Sequence, residues 1–206
     1  MATLASDNFN RADGGLGSNW TTIPGRGDLQ IVGNLVQSGG SNEYSATYSA
    51  VTWPNDQWSQ CVAVAAVDGG NEIGPVVRGS TSADTKYQAS VHGALGGSVV
   101  TRIQKFISGS YSLIADSTAT VNPGDILYLE AVGTTITLKV NGSTVASTTD
   151  TDIASGNAGL CIYNGTGTDT GNQIDDWSGG DFSGGGGVFV NPLSGRGGAA
   201  ARPLVN

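Results

Sequence analysis

Short apolar segments recur about every ten residues along this chain, each closed by glycine, proline, asparagine or aspartate, and that spacing is the mark of an antiparallel sandwich or barrel. The clearest case runs from Thr134 to Ser147. Ile136, Leu138 and Val140 alternate with Thr135, Thr137 and Lys139, and Asn141-Gly142 then separates them from Thr144-Val145-Ala146. Asn-Gly supplies the two positive φ angles of a type I′ turn, so this is a two-residue hairpin. Upstream, Pro123-Gly124-Asp125 opens a strand over Ile126–Val132 that turns at Gly133-Thr134, which completes a three-strand meander.

The same grammar predicts strands at Leu29–Val32, Leu35–Ser38, Tyr44–Tyr48, Trp58–Val67, Glu72–Arg78, Lys86–Val91, Val99–Phe106, Tyr111–Ala115 and Ala158–Tyr163. Trp58–Val67 is apolar on both faces towards its end, as a central strand covered on both sides should be. Helices are not expected. Charged residues make up 13% of the chain, about half the ordinary share, while 33 glycines and many Thr, Ser and Val residues favour strands and tight turns.

At 206 residues the chain is long enough for one large all-β domain with a real core. Its net charge is −8, with three lysines and six arginines scattered along the length, so no cluster of cations is available to neutralise phosphates. Nucleic-acid binding is therefore not expected. The acidity also disfavours anionic membrane surfaces, and no apolar run approaches the roughly 18 to 20 residues of a membrane helix. The N-terminal segment lacks the basic start and apolar core of a signal peptide, which predicts synthesis in the cytoplasm without classical export. Cys61 and Cys161 each lie in an apolar segment and read as buried small hydrophobes, with a disulfide across the sandwich as the alternative.

The two ends carry related motifs. Asp7-Asn8-Phe9-Asn10-Arg11 leads on to Leu16-Gly17 and Trp20, and Ile174-Asp175-Asp176-Trp177 leads on to Phe182, which suggests that the first and last strands meet. Together with Gly74-Pro75-Val76-Val77-Arg78, Tyr87, Pro123-Gly124-Asp125 and Val140-Asn141-Gly142, these motifs resemble the concanavalin A-like, laminin-G-like domains common in phage virion and bacterial surface proteins. The resemblance covers about residues 6 to 182. It implies an all-β, two-sheet antiparallel jelly-roll sandwich, one sheet of it concave, over residues 1–182. The superfamily includes lectins, glucanases and plain structural modules, so function has to come from the site.

The enzymatic relatives carry a Glu-x-Asp-x-x-Glu strand that aligns acid and nucleophile. Retaining chemistry needs the two carboxyls about 5 to 5.5 Å apart. Glu43, Glu72 and Glu130 are the only glutamates, and none has the partner that the motif demands. His92 is the sole histidine, with no serine nearby in a nucleophile-elbow context. No catalytic residue is assigned.

The resemblance also implies a calcium candidate where the end strands meet, with Asp7 and Asp175 or Asp176 as oxygen ligands; the alternative is that these acids cap turns or bond backbone amides. For glycans, alternation along Glu72–Arg78 groups Gly74, Val76 and Arg78, with Tyr87 on the next segment and Gln57 and His92 near. Arg78, Tyr87, His92 and Gln57 are thus the carbohydrate-binding candidates. A buried Arg78 whose fork bonds backbone carbonyls is the preferred alternative. Trp20 and Trp177 read as core, Trp53 and Trp58 flank a turn at Pro54-Asn55-Asp56, and Arg26-Gly27-Asp28, an adhesion tripeptide, reads as chance in a turn-rich chain.

Beyond Phe182 the composition changes. Ser183 and Gly184–Gly187 form a flexible linker, and residues 183–206 make an extended C-terminal arm in which Val188, Phe189, Val190, Pro192 and Leu193 could add a strand to a neighbouring sheet. Three functions follow in order. The first is a non-catalytic structural protein of a larger assembly, a phage virion decoration or surface protein whose arm contacts other copies or other virion proteins. The second is a lectin-like carbohydrate-binding module, and the third a glucan hydrolase.

Overall fold

The computed structural model describes residues 1–40, 42–66, 71–165 and 171–183. It is a sandwich of sixteen strands, and among the described residues there is no helix. In chain order the strands are β1 (Ala2–Asp7), β2 (Gly14–Gly15), β3 (Trp20–Thr22), β4 (Gln30–Val32), β5 (Leu35–Gln37), β6 (Asn42–Tyr48), β7 (Gln57–Ala65) and β8 (Glu72–Gly79). There follow β9 (Lys86–His92), β10 (Gly97–Ile107), β11 (Ser110–Val121), β12 (Ile126–Val132), β13 (Thr135–Val140), β14 (Ser143–Thr149), β15 (Asn157–Asn164) and β16 (Gln173–Asp181).

One sheet runs β14-β13-β12-β7-β16-β5-β4-β2, with β1 added beside β16; the other runs β11-β10-β9-β8-β15-β6-β3. All the strand pairs are antiparallel. The meander forms as the sequence predicts: Asn141 and Gly142 have φ of 49° and 81° and join β13 to β14. The first and last strands do meet, with Asp7 opposite Trp177 and Ser6 opposite Ser178.

The largest departure from the expected boundaries is at the end of β11. β11 extends six residues past Ala115, to Val121. Its second half, Asp116-Ser-Thr-Ala-Thr, carries no apolar alternation, and the strand is set by eleven-residue pairing with β10 instead of by its own pattern. β3 is equally short of signal, since only Trp20 of its three residues is buried.

Between the sheets, Trp177 is the centre of an aromatic group. Its ring stacks on Tyr48 at 5.3 Å and meets Trp20 at 4.7 Å and Trp53 at 6.2 Å, and its Nε1 donates to Ser59 Oγ at 2.9 Å. Trp53 and Trp58 are both buried, each donating its indole N–H to a backbone carbonyl, of Tyr48 and Asp181 respectively. Cys61 and Cys161 are buried and unbridged, so both act as small core residues. Burial pushes both thiols up from their ordinary range, which suppresses thiolate reactivity. No described helix could cross a membrane.

Candidate functional site

The outer face of the seven-stranded sheet holds a groove of about 520 Å³. Strand pairing explains which side chains reach it. Antiparallel partners share a face, so the register Glu43–Tyr163–Glu72–His92 places four polar or aromatic residues in one row across β6, β15, β8 and β9. On β9, Gln88 and His92 line the groove, with Ser90 buried on the same face, while Tyr87, Ala89 and Val91 point into the core. On β10, Arg102, Gln104 and Phe106 share the groove face, and Thr101 and Ile103 are buried on the other.

The floor is a directed hydrogen-bond chain. Glu72 Oε1 accepts from Arg102 Nη1 at 2.7 Å and Oε2 from Gln104 Nε2 at 2.9 Å; Gln104 Oε1 in turn accepts from Gln88 Nε2 at 2.7 Å. An ionised carboxylate can only accept, so the orientation of both amides is forced, and Gln88 Oε1 ends the chain as an acceptor without a donor. Among the described residues, six buried side-chain atoms lack a hydrogen-bond partner. Four of them, Gln88 Oε1, Ser90 Oγ, His92 Nδ1 and Arg102 Nε, lie on this one face. His92 Nδ1 stands 3.4 Å from Glu72 Oε1 without a well-formed hydrogen bond. Buried polar atoms without partners are costly, and four of the six among the described residues share this face.

At one end of the groove lies a second polar cluster. Lys86, fully buried, bonds Glu43 at 2.7 Å and Asp84 at 2.8 Å, and its Nζ sits 4.1 Å from the centre of the Phe106 ring. Arg26 adds pairs to Glu43, at 3.0 Å, and to Asp84, and its Cζ lies 4.9 Å from the centre of the same ring. This accounts for the Arg26-Gly27-Asp28 tripeptide. Its arginine pairs with the protein's own carboxylates and its aspartate accepts from Thr22 Oγ1. The walls of the groove include Tyr111 and Tyr163, which are 52% and 36% exposed. They stand on β11 and β15, four strands apart in the sheet.

Burial alone would raise the Asp84 carboxyl, yet the hydrogen bonds from Arg26 and Lys86 hold it below the usual carboxylate range. The same balance lowers Asp7, through Arg11, Trp20 and the Phe9 amide, and Asp150, through Lys105 and Tyr87. Each folded-state value is below the unfolded one, so the stabilisation is complete above about pH 5 and is lost as pH falls below about 4 through the folded values. The melting temperature should be flat from pH 7 to 5 and drop below about pH 4, with a shallower drop in Asp84→Asn, as followed by circular dichroism.

Of the residues expected to bind carbohydrate, only His92 lines the groove. Arg78 is corrected to a buried site. β8 bulges there, Arg78 takes φ of 51°, and the strand's alternation breaks. Its Nε, Nη1 and Nη2 donate to the carbonyls of Asn55, Ile153 and Gly133 at 2.8 to 2.9 Å. Gln57, also fully buried, accepts the Arg78 N–H and donates to the carbonyls of Pro54 and Gly156. Only glycine fits at 156, where a Cβ would stand 2.4 Å from the Arg78 carbonyl carbon. Tyr87 faces the core, donates to Asp150 and accepts the Ile153 N–H; burial, then the Asp150 contact, pushes its hydroxyl up to about 12.

The calcium candidates Asp7 and Asp175 accept hydrogen bonds from the protein. Asp7 Oδ1 accepts from Phe9 N and Arg11 Nη1, and Oδ2 from Arg11 Nη2 and Trp20 Nε1, at 2.6 to 3.0 Å. Asp175 Oδ1 accepts the Asp176 N–H at 2.9 Å. Among the described residues no group of three or more His, Cys, Asp or Glu side chains is placed to hold a metal ion. The arm residues Val188, Phe189, Val190, Pro192 and Leu193 lie outside the described residues.

No protein-family model matches the sequence, and no curated protein matches it. Solved structures do match in shape. The carbohydrate-binding module CBM66 from Bacillus subtilis superposes with a TM-score of 0.60 at 18% identity, over 77% of this chain and 92% of that one. A protein of unknown function with a galectin-like fold from Bacillus subtilis gives 0.54 at 10% identity, over 87% and 96%. LamAcat from Zobellia galactanivorans gives 0.51 at 10%, over 86% and 94%. The fold is a lectin-like jelly roll. Binding modules and enzymes alike share it, so the likeness carries architecture and leaves the chemistry to the groove.

Proposed function

We propose that this chain is a non-catalytic carbohydrate-binding module whose ligand occupies the groove on the outer face of the seven-stranded sheet. The observation that carries this reading is a groove of about 520 Å³ lined by the polar side chains of Gln88, His92, Arg102 and Gln104 and walled by two exposed tyrosines. Sugars present hydroxyls that both donate and accept, and apolar ring faces that stack on aromatic side chains, so they match such a lining.

A non-catalytic role is favoured by the state of the two groove carboxylates. Glu43 and Glu72 flank Tyr163 on its two sides, so their backbones are about 10 Å apart. Glu43 is held by Lys86 and Arg26, and Glu72 by Arg102 and Gln104. With each carboxylate held by two basic or amide side chains of the protein, an acid-and-nucleophile pair is not the favoured reading.

The assembly reading, first in order on sequence, becomes second. Its arm falls outside the described residues, and none of the similarities above points to a virion.

Immobilised-glycan screening tests the proposal. The wild-type chain should retain at least one oligosaccharide class, and Tyr163→Ala should weaken that binding about three- to tenfold, the worth of one aromatic contact. Laminarin-type glucans incubated with the protein should gain no reducing ends. Retention of no glycan would remove the proposal, and release of reducing ends would remove its non-catalytic part.

A further inference from the structure

The two flanks of the sandwich are built differently. At one end the two sheets finish in β2 and β3, of two and three residues. Edges so short give a neighbour almost no ladder to extend, which is one way that β proteins avoid pairing with each other. At the other end the sheets finish in β11, of twelve residues, and β14, of seven. Among the described residues β11 pairs with β10 alone, so one side of its backbone has no strand beside it.

Most of the devices that guard a long edge are missing from this flank. β11 and β14 contain no lysine, arginine or proline, and Asp116 is the only charged residue on either. One bulge interrupts the ladder, at Ile114, and it leaves Ala115–Val121 in unbroken register with β10. Three of the six exposed large hydrophobics among the described residues, Ile107, Tyr111 and Leu113, belong to the β10–β11 hairpin. In a chain of net charge −8, a long edge with a single charge is where two like-charged copies approach with least repulsion.

We propose that β11 is a self-association surface, on which β11 of a second copy pairs antiparallel about a two-fold axis. A strand paired antiparallel with its own copy is self-complementary, so the contact closes at two and does not propagate. The size suits a stable dimer. A flank about 35 Å long and about 20 Å deep across both sheets offers roughly 700 Å² per copy, against about 800 Å² per partner in a standard interface. Pairing carries the seven-stranded sheet on into the second copy, and the partner's β11 then borders the Tyr111 end of each groove.

The outward side of β11 can be assigned. The Ser117 carbonyl accepts from Thr101 Oγ1 on β10 at 3.2 Å, which turns Ser117 towards β10. Successive residues of a strand aim their backbone groups to opposite sides, so the N–H groups of Thr118 and Thr120 point away from β10. Proline is tolerated on an edge strand where the N–H it removes faced away from the sheet.

Sedimentation equilibrium of the full chain, with amide hydrogen exchange, tests this. The wild type should form a species of twice its 20.7 kDa at about 100 μM, and β11 amides should exchange more slowly there than at about 1 μM. Thr118→Pro should weaken association at least about tenfold while its circular dichroism stays that of the wild type. Thr120→Pro repeats the test at the next outward N–H, which covers the case in which Thr118→Pro does not fold. A wild type that stays monomeric at the higher concentration would overturn the proposal, and slow β11 exchange in that monomer would show that the chain covers its own edge instead. A dimer unchanged in both proline variants would overturn the assignment to β11. Species larger than a dimer would overturn the closed two-fold pairing.

Discussion

Arg78→Ala is expected to lower the stability of the fold by about 3–5 kcal/mol, with a fall in melting temperature of roughly 10 °C. The guanidinium is 97% shielded and ties together three loops through carbonyls of Asn55, Gly133 and Ile153. Hydrogen bonds to a charged donor contribute about 1.5–3 kcal/mol each and do not add. Truncation leaves three carbonyls facing a cavity. Burial already lowers the Arg78 pKa, a sign that these contacts have to offset a desolvation cost. Arg78→Lys should recover little, because one ammonium cannot serve three carbonyls spread across a fork. Urea unfolding measures the effect. A midpoint for Arg78→Ala within error of the wild type would show that the three-loop clamp is not needed, and glycan binding by the folded fraction should be unchanged because Arg78 is not in the groove.

Trp177→Ala is expected to cost about 3–5 kcal/mol, a large part of the roughly 5–15 kcal/mol that holds a domain of this kind together. Trp177 packs against Trp20, Tyr48 and Trp53 and donates to Ser59 Oγ, so its removal leaves a void between the sheets and a hydroxyl acceptor without its donor. The loss falls where β16 receives β1, since Trp177 is the residue opposite Asp7. Asp7 depends on the same junction through Trp20 Nε1. Trp177→Phe should retain more than half of the packing and lose the hydrogen bond, placing it between wild type and Trp177→Ala. Thermal melting with tryptophan fluorescence checks the order; an alanine variant as stable as the phenylalanine variant would deny the ring its central place.

Much of the architecture is legible in the order of residues. Alternation and Asn141-Gly142 specify the β12–β14 meander, because a period of two and a two-residue turn are local properties. Part of the groove was legible too. Gln88, Ser90 and His92 lie at even spacing between Tyr87, Ala89 and Val91, and on a regular strand that spacing separates a polar face from an apolar one. Tyr87 and His92 are five residues apart, so parity alone sets them on opposite faces. That signal argued against grouping the two, and it also pointed to Gln88.

Other parts were not legible. The alternation of β8 predicts Arg78 on the face of Gly74 and Val76, and a bulge with φ of 51° defeats it; the cause is a set of carbonyls from residues 55, 133 and 153, far away in the chain. Glu43 and Glu72 form no motif in sequence, yet β15 passes between their strands and brings both to one groove. Arg102 is one of several scattered arginines until β10 pairs with β9 and sets it opposite Ser90.

The sequence by itself determined the all-β class, the turns, the meeting of the two ends and the burial of Trp20 and Trp177, all of which follow from short-range periodicity and side-chain size. Only the tertiary structure decided which polar residues are satisfied and which are left open. Satisfaction depends on partners brought from distant strands. Arg78 and Asp7 find theirs within the fold, while among the described residues Gln88, Ser90, His92 and Arg102 each keep an atom unpaired on the groove face.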